Sequence, residues 1–332
     1  MSKNTNLHTA KDKKNDEFYT QISDIENELR YYKKHFKGKV VYCNCDDPTW
    51  SEFWRYFHLN FNELGLKKLI STHYDKERPT YKLEYYGEND NDVEVGVMTP
   101  LKQNGDFESD ESIELLNEAD IVVTNPPFSL FRDYIHQLME YNKQFLIIGN
   151  KNAITYKEFF PLLKENKVWL GYTSPSTFRT PEGETKKLNG LTRWFTNLDI
   201  DKRHEELILW KKFNQEEYQM YDNYPAWNVD KVSEIPVDKE IKVTVNKEKY
   251  EALKATYLND CLLLEEQNDL YLLQINNPIY GVPITILDKF NPKQFEIISF
   301  RKGEDGKDLA YTRERERVQP YFRILIRHRL RG

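Results

Sequence analysis

Cysteine is scarce in this 332-residue chain: Cys43, Cys45 and Cys261 are the whole complement. An odd count excludes a closed disulfide framework and fits a reducing compartment. Cys43 and Cys45 form a C-x-C, but no second pair and no nearby histidine completes a zinc ligand set, so structural filling is their reading and no metal is expected. Long apolar runs are missing too. None approaches the length of a membrane span, and Met1-Ser-Lys-Asn-Thr-Asn lacks a signal-peptide apolar stretch, so a soluble cytoplasmic protein is expected. Glycine is absent where a nucleotide-binding sheet usually has it. After the first strand stands Cys43-Asn-Cys-Asp-Asp-Pro, with no residue that allows close backbone approach to a phosphate. Internal repeats are also lacking.

What is present supports one large or two ordinary domains, with 39% hydrophobic and 14% aromatic residues to fill a core. The net charge of −6 argues against a general polyanion binder, but its distribution is uneven. Between Arg301 and Gly332, ten Lys and Arg stand against five Asp and Glu. The segment Thr180 to Arg203 adds Lys186, Lys187, Arg193, Lys202 and Arg203. A basic face on an acidic body suits DNA; a solvated surface is the plain alternative.

Residues 1–15 are polar and Lys/Asn-rich and read as a flexible tail. Helical spacing then runs from Ser23 to Phe36, and Lys39 to Asn44 reads as a first strand. Asp47-Pro48-Thr49 opens a helix over Trp50 to Leu64, and Lys68 to His73 is a second strand. An interrupted hairpin is expected over Tyr81 to Thr99, a short helix over Ile113 to Ala119, and strands over Ala119 to Thr124 and from Gln144. A helix over Leu130 to Tyr141 separates the last two. Alternating strands and helices describe a doubly wound α/β sheet, whose ligands collect at the carboxyl ends of the strands. Asn44–Pro48, Asp75 and Asn125–Phe128 all fall at such ends. Beyond Tyr172 the pattern loosens. Thr173 to Leu191 is a Ser/Thr/Pro/Gly-rich loop. A helix over Lys247 to Leu258 and strands at Ile241–Val245, Leu270–Ile275, Gln294–Ser299 and Tyr321–Ile326 follow. A catalytic core over 16–171 and a less regular recognition region over 172–332, which also completes the base pocket, are therefore expected.

The strand Ala119 to Thr124 runs into Asn125-Pro126-Pro127-Phe128. This corner suits methyl transfer to an exocyclic amine on a flipped-out base. Such an amine is a poor nucleophile because its lone pair is delocalised into the ring. The Asn125 side-chain oxygen and the Pro126 carbonyl can each accept one N–H, which aims the lone pair at a methyl donor. Pro127 restricts Pro126 to extended conformations, so that carbonyl is directed in advance. Phe128 supplies a ring on which an extruded base can stack. Asn-Pro is also a common turn signal, so the corner alone could merely end a strand.

Further features extend this reading. An acid after the second strand, Asp75, suits ribose hydroxyls, although such residues often only hold a turn. Gly105-Asp106-Phe107 places an acceptor and a ring where an adenine would need them. In this order, and with Asp16-Glu-Phe-Tyr-Thr, Cys45-Asp-Asp-Pro, Arg193-Trp-Phe-Thr-Asn-Leu-Asp and the run from Gly281 to Ile297, the sequence resembles the EcoRI-type adenine-specific DNA methyltransferases over nearly its whole length. The resemblance implies a Rossmann-like, S-adenosylmethionine-dependent methyltransferase sheet with a less regular C-terminal α+β target-recognition region. It implies Asn125, Pro126, Pro127 and Phe128 as the catalytic set. It implies Tyr19, Thr20, Cys45, Asp46, Pro48, Asp75, Asp106, Phe107 and Phe131 around the cofactor, with Trp194 or Phe195 stacking on the base. Double-stranded DNA is the expected partner, in a restriction–modification or mobile-element setting with a cognate endonuclease, and a monomer suffices. The same acceptor geometry also serves methylation of RNA adenine or a protein glutamine amide, and a DNA-binding scaffold without activity is a third reading. N4-cytosine fits less well, because Ser or Asp more often opens the motif there. The recognition sequence is not legible.

Overall fold

The computed structural model describes residues 19–45, 47–75, 77–87, 96–180 and 183–329, so the expected tail and Asp46 lie outside the described residues. The chain divides into two compact units after Ile200. Among the described residues no helix is long and apolar enough to cross a membrane.

The first unit begins with β1 (Tyr19–Thr20), α1 (Ile22–Leu29), α2 (Lys33–Phe36), β2 (Val40–Cys43), α3 (Glu52–Leu59), α4 (Phe61–Leu64), β3 (Lys68–Thr72), β4 (Tyr81–Tyr85) and β5 (Val97–Pro100). It continues through α5 (Asp110–Glu118), β6 (Ile121–Thr124), α6 (Phe131–Glu140), β7 (Gln144–Asn150), α7 (Phe160–Lys164), β8 (Trp169–Leu170), β9 (Thr177–Arg179), β10 (Thr185–Lys187) and β11 (Thr192–Thr196). Eight strands form one mixed sheet in the order β5-β4-β3-β2-β6-β7-β11-β8. Its centre is parallel: β2 pairs with β3 on one side and β6 on the other, and β6 with β7. The outer strands run antiparallel. The strands β2, β3 and β6 are buried along their whole length, as parallel strands covered on both faces must be. Their Val, Ile and Leu content answers that demand. The order reverses between β2 and β6, so the crevice beyond their carboxyl ends is the natural ligand position.

Two expected helices are broken in two. The one over Ser23–Phe36 stops at Leu29 and restarts at Lys33, because Tyr32 turns inward, fully buried, and donates its hydroxyl to Glu28 at 2.7 Å. The one over Trp50–Leu64 is capped by Ser51, which accepts from the Trp54 N–H, and pauses at Asn60, whose side chain donates to the Tyr56 carbonyl. The expected loop Thr173–Leu191 contains β9 and β10. Here β1 pairs with β9 and β9 with β10 in a separate three-stranded sheet. With β11 paired to β7, residues 172–200 pack in the first unit, and the division falls later than the 171/172 boundary expected from sequence.

The second unit contains β12 (Trp227–Asn228), β13 (Glu240–Asn246), α8 (Lys247–Tyr257), β14 (Cys261–Gln267), β15 (Leu270–Asn276), β16 (Tyr280–Pro283), β17 (Phe295–Phe300), β18 (Tyr311–Arg313), β19 (Glu316–Val318) and β20 (Arg323–His328). They form a four-stranded sheet, β12-β16-β20-β17, a three-stranded sheet, β13-β15-β14, and the hairpin β18-β19. The strand β13 alternates buried and exposed residues, with Ile241, Val243 and Val245 inward. By contrast β14 is exposed along nearly all its length and gave no periodic signal.

Candidate active site

The segments singled out in the sequence come together at the carboxyl ends of β2, β3 and β6. Asn44 follows β2 and is buried. Its Oδ1 accepts from the Tyr134 hydroxyl at 2.5 Å and from the Cys45 thiol at 3.6 Å. Tyr134 lies one turn into α6, the helix that the Asn-Pro-Pro-Phe corner launches. Its ring meets Phe107 edge-on at 5.1 Å, and burial pushes its hydroxyl well above the usual tyrosine range. One further turn along the same face, the Gln137 amide donates to the Phe107 carbonyl at 2.9 Å. A single helix face thus ties the loop after β2 and the Gly105-Asp106-Phe107 segment to the corner after β6. Tyr134 and Gln137 were missed in the sequence, yet their spacing from Phe131 was a readable signal.

Gly105 brings that segment onto the end of β3. Its φ is +72°, and a Cβ there would lie 2.1 Å from the His73 carbonyl oxygen, so glycine is required twice over. The Asp75 N–H donates to the neighbouring Asn104 carbonyl at 3.2 Å. Asp75 and Asp106 therefore stand in adjoining loops. Each is fixed by its own turn: Asp75 Oδ1 accepts from the N–H groups of Glu77 and Arg78, and Asp106 Oδ1 from that of Glu108. The turn that the sequence allows for Asp75 is present, and Asp106 holds a similar one.

Pro48 is buried in the loop after β2. Beside it Asp47 Oδ1 accepts from the Thr49 N–H, the Thr49 hydroxyl and the Tyr81 hydroxyl, while Oδ2 stands 3.6 Å from His73 Nε2. Burial, with Asp47 alongside, pushes the Tyr81 hydroxyl up to about 12. Asp47 thereby pins the glycine-free loop to the neighbouring strands β3 and β4, a role that no short-range pattern announced.

At the corner itself Asn125 and Pro126 are buried, and Pro127 and Phe128 are half-buried. The Leu130 N–H donates to the Pro127 carbonyl, closing a 3₁₀ turn over Phe128–Leu130 before α6 begins. Phe128 packs part of its ring against the core cluster. Phe131 is 2% exposed and set among Phe159, Phe195 and the bare Gly149, where a Cβ would come within 2.3 Å of its ring. Burial of such a ring contributes roughly 1.5–3 kcal/mol, so Phe131 anchors α6 whatever else it does. Trp194 and Phe195, expected to stack on a base, are both 0% exposed. Successive residues of β11 point to opposite faces, and Trp194 packs on Phe53 while Phe195 packs on Phe131 and Phe159. Both rings are covered, which leaves Phe128 as the partly open aromatic at the corner.

Tyr19 and Thr20 form β1, which pairs with β9 in the separate three-stranded sheet. Tyr19 borders a small pocket with Trp50 and Arg179, and Thr20 is buried.

Comparison with known proteins joins these parts. The family model described as adenine-specific methyltransferase EcoRI matches residues 6–251 and 274–329. The chain belongs to that family. It is 44% identical to the Type II methyltransferase M.EcoRI of Escherichia coli, over 97% of this chain and 96% of that one. It is 38% identical to the Type II methyltransferase M.MgeORF184P of Mycoplasma genitalium, over 88% of this chain and 85% of the relative. With the Type II methyltransferase M.MpnI of Mycoplasma pneumoniae the identity is 36%, over 97% and 98%. No solved structure matches the chain significantly. As a member of this family the protein is an adenine-specific methyltransferase, and the corner and the loops around it lie inside the matched region. The unmatched stretch 252–273 falls on the end of α8, on β14 and on the start of β15.

Proposed function

We propose that this protein methylates the N6 amine of an adenine flipped out of duplex DNA at a specific site, with S-adenosylmethionine as donor. The observation that carries the reading is the Asn-Pro-Pro-Phe corner at the carboxyl end of β6, next to the end of β2 and bound to it through α6. In this reading Asn125 Oδ1 and the Pro126 carbonyl each accept one N–H of the amine, and the lone pair is freed from the ring. Phe128 supports the base by stacking. Catalysis then consists of positioning and of acceptors fixed before the base arrives.

The central strands, with order β3-β2-β6-β7 and a reversal between β2 and β6, support a Rossmann-like arrangement for the first unit. The strand ends fit the donor. Asn44 Nδ2 and Thr124 Oγ1, at the ends of the adjacent strands β2 and β6, are buried and make no hydrogen bond among the described residues. Two buried polar groups left unsatisfied at a topological switch point are costly unless a ligand answers them. Asp75 would hold the ribose, Asp106 and Phe107 the adenine, and Tyr19, Thr20, Cys45, Asp46, Pro48 and Phe131 the rest. When bound, S-adenosylmethionine supplies an electrophilic methyl on a sulfonium.

The region 172–332, most of it the second unit, is assigned to target recognition. A cognate endonuclease and a monomeric enzyme complete the proposal. The test is transfer from labelled S-adenosylmethionine to unmethylated bacterial DNA with base-resolved readout. N6-methyladenine within one short sequence is the expected result. Label appearing only in RNA or in protein glutamine would overturn the DNA assignment.

A further inference from the structure

The hairpin of β18 and β19 carries Tyr311-Thr-Arg-Glu-Arg-Glu-Arg-Val318, and residues 312–317 are all exposed. It pairs only with itself, Arg313 opposite Glu316 and Thr312 opposite Arg317. Its foot is held firmly. The Thr312 hydroxyl donates to Asp222 at 2.8 Å, and the Gln319 amide donates to Asp308 at 3.0 Å. Asp308 is itself gripped by Arg301 and Lys302.

The tip is different. The side chains of Arg313, Arg315 and Arg317 make no hydrogen bond or ion pair among the described residues. Four nearby cations of the same unit are engaged: Arg301 and Lys302 with Asp308, Arg323 with Asp230, Arg327 with Glu296. The turn residues Glu314 and Arg315 both have positive φ, at 49° and 67°. Two-residue turns of this kind normally take Asn-Gly, and each bulky L residue there costs about 1–2 kcal/mol. Local backbone preference would be served by glycine, so the side chains at this tip answer to something outside the fold.

We infer that residues 311–318 form a ribbon that enters the DNA major groove and reads the target sequence, with Arg313, Arg315 and Arg317 donating to guanine edges or phosphates and Glu314 and Glu316 accepting from cytosine amines. This rests on the DNA reading above. The major groove admits a two-stranded ribbon, and Arg–guanine and Glu–cytosine are the pairings that groove geometry allows. The alternation of Arg and Glu fits base edges better than a bare phosphate surface, which would repel the two glutamates. An acidic chain of net charge −6 also needs a local cationic element to hold a polyanion.

The test compares the wild type, the triple variant R313Q/R315Q/R317Q, the single variant R315Q and a charge-matched control on exposed lysines of the first unit, K157Q/K164Q/K167Q. Duplex binding is measured against salt, and methylation of genomic DNA is mapped base by base. The triple variant is expected to bind the wild-type site about 10- to 100-fold more weakly at ~0.15 M salt, with the log–log salt slope reduced by about 2 to 3. The single variant R315Q relaxes the sequence at one position, the control matches wild type, and cofactor binding is unchanged throughout. A ribbon triple with wild-type affinity, salt slope and sequence would overturn the inference while leaving the methyltransferase reading intact. A wild type that neither binds nor methylates duplex DNA would remove the DNA reading, and the ribbon proposal with it.

Discussion

Two turns of this molecule, the corner Asn125–Phe128 and the ribbon tip Glu314–Arg315, are built on opposite terms. At the corner the backbone is held in preferred conformations by two prolines, and Asn125 and Pro126 are buried. The helix that follows is tied to two neighbouring loops through Tyr134 and Gln137. At the tip both residues sit at positive φ, exposed, and the flanking arginine side chains make no hydrogen bond or ion pair among the described residues. Orienting an amine requires acceptors whose positions are settled before the substrate binds. Reading a sequence requires donors that the fold has not already used. In the proposed reading the same chain supplies both by burying one turn and exposing the other.

Loss of Asn125 gives the largest expected effect and breaks the comparison on the catalytic side. Asn125→Ala is expected to lower single-turnover methylation about 10²- to 10³-fold, as removal of one preorganised group at a reacting centre does, with cofactor affinity largely kept. Unchanged turnover would remove the corner from the chemistry. Next in size is Asp75→Ala, for which cofactor affinity by titration is expected to fall about ten- to a hundredfold, the worth of hydrogen bonds to a charged acceptor. Wild-type affinity would reduce Asp75 to its turn.

Tyr134→Phe sharpens the same side. It removes the bond to Asn44 and leaves a buried acceptor poorly satisfied, so the unfolding free energy should drop by about 1–3 kcal/mol. Turnover should fall by less than about tenfold, because the amine's own acceptor remains. A loss as large as that of Asn125→Ala would mean that the tie between strand ends, and not the corner alone, sets the rate.

The smallest effect concerns the second unit. His328 is buried on β20 with Nε2 at 2.8 Å from the Pro236 carbonyl, and burial holds its imidazole below the ordinary histidine value. Below about 6.5 the unfolded chain takes up a proton that the folded unit refuses, so stability falls as pH drops through that window. Thermal unfolding from pH 7.5 down to 5.5 should show a falling midpoint that His328→Gln flattens. A wild-type midpoint flat over this range would show that the site takes its proton without strain.

Most strands and helices were legible because their signal is local. The runs Val40–Cys43 and 121–123, and the β-branched and aliphatic residues within Lys68–Thr72, suit strands buried on both faces. The corner Asn125–Phe128 was legible as a candidate because its residue types suit the proposed chemistry themselves. The strands β9, β10 and β14 were not legible. Thr185–Lys187 is fully exposed and Cys261–Gln267 nearly so, and each is a strand only because a partner supplies its hydrogen bonds. Trp194 and Phe195 misled for the related reason that an aromatic pair in a strand looks the same whether it meets a ligand or the core.

By itself, then, the sequence determined the family, the corner Asn125–Phe128 and the alternation of elements that leads to a mixed sheet, since each depends on residue type and short-range spacing. Only the tertiary structure decided which side chains share a space. It closed Asn44, Tyr134 and Phe107 into one contact set, pressed Gly105 onto the His73 carbonyl, buried Trp194 and Phe195, and left the ribbon arginine side chains outside any hydrogen bond or ion pair among the described residues. Those outcomes depend on strand order and on contacts between residues as far apart in the chain as Phe53 and Trp194, for which no local pattern carries a signal.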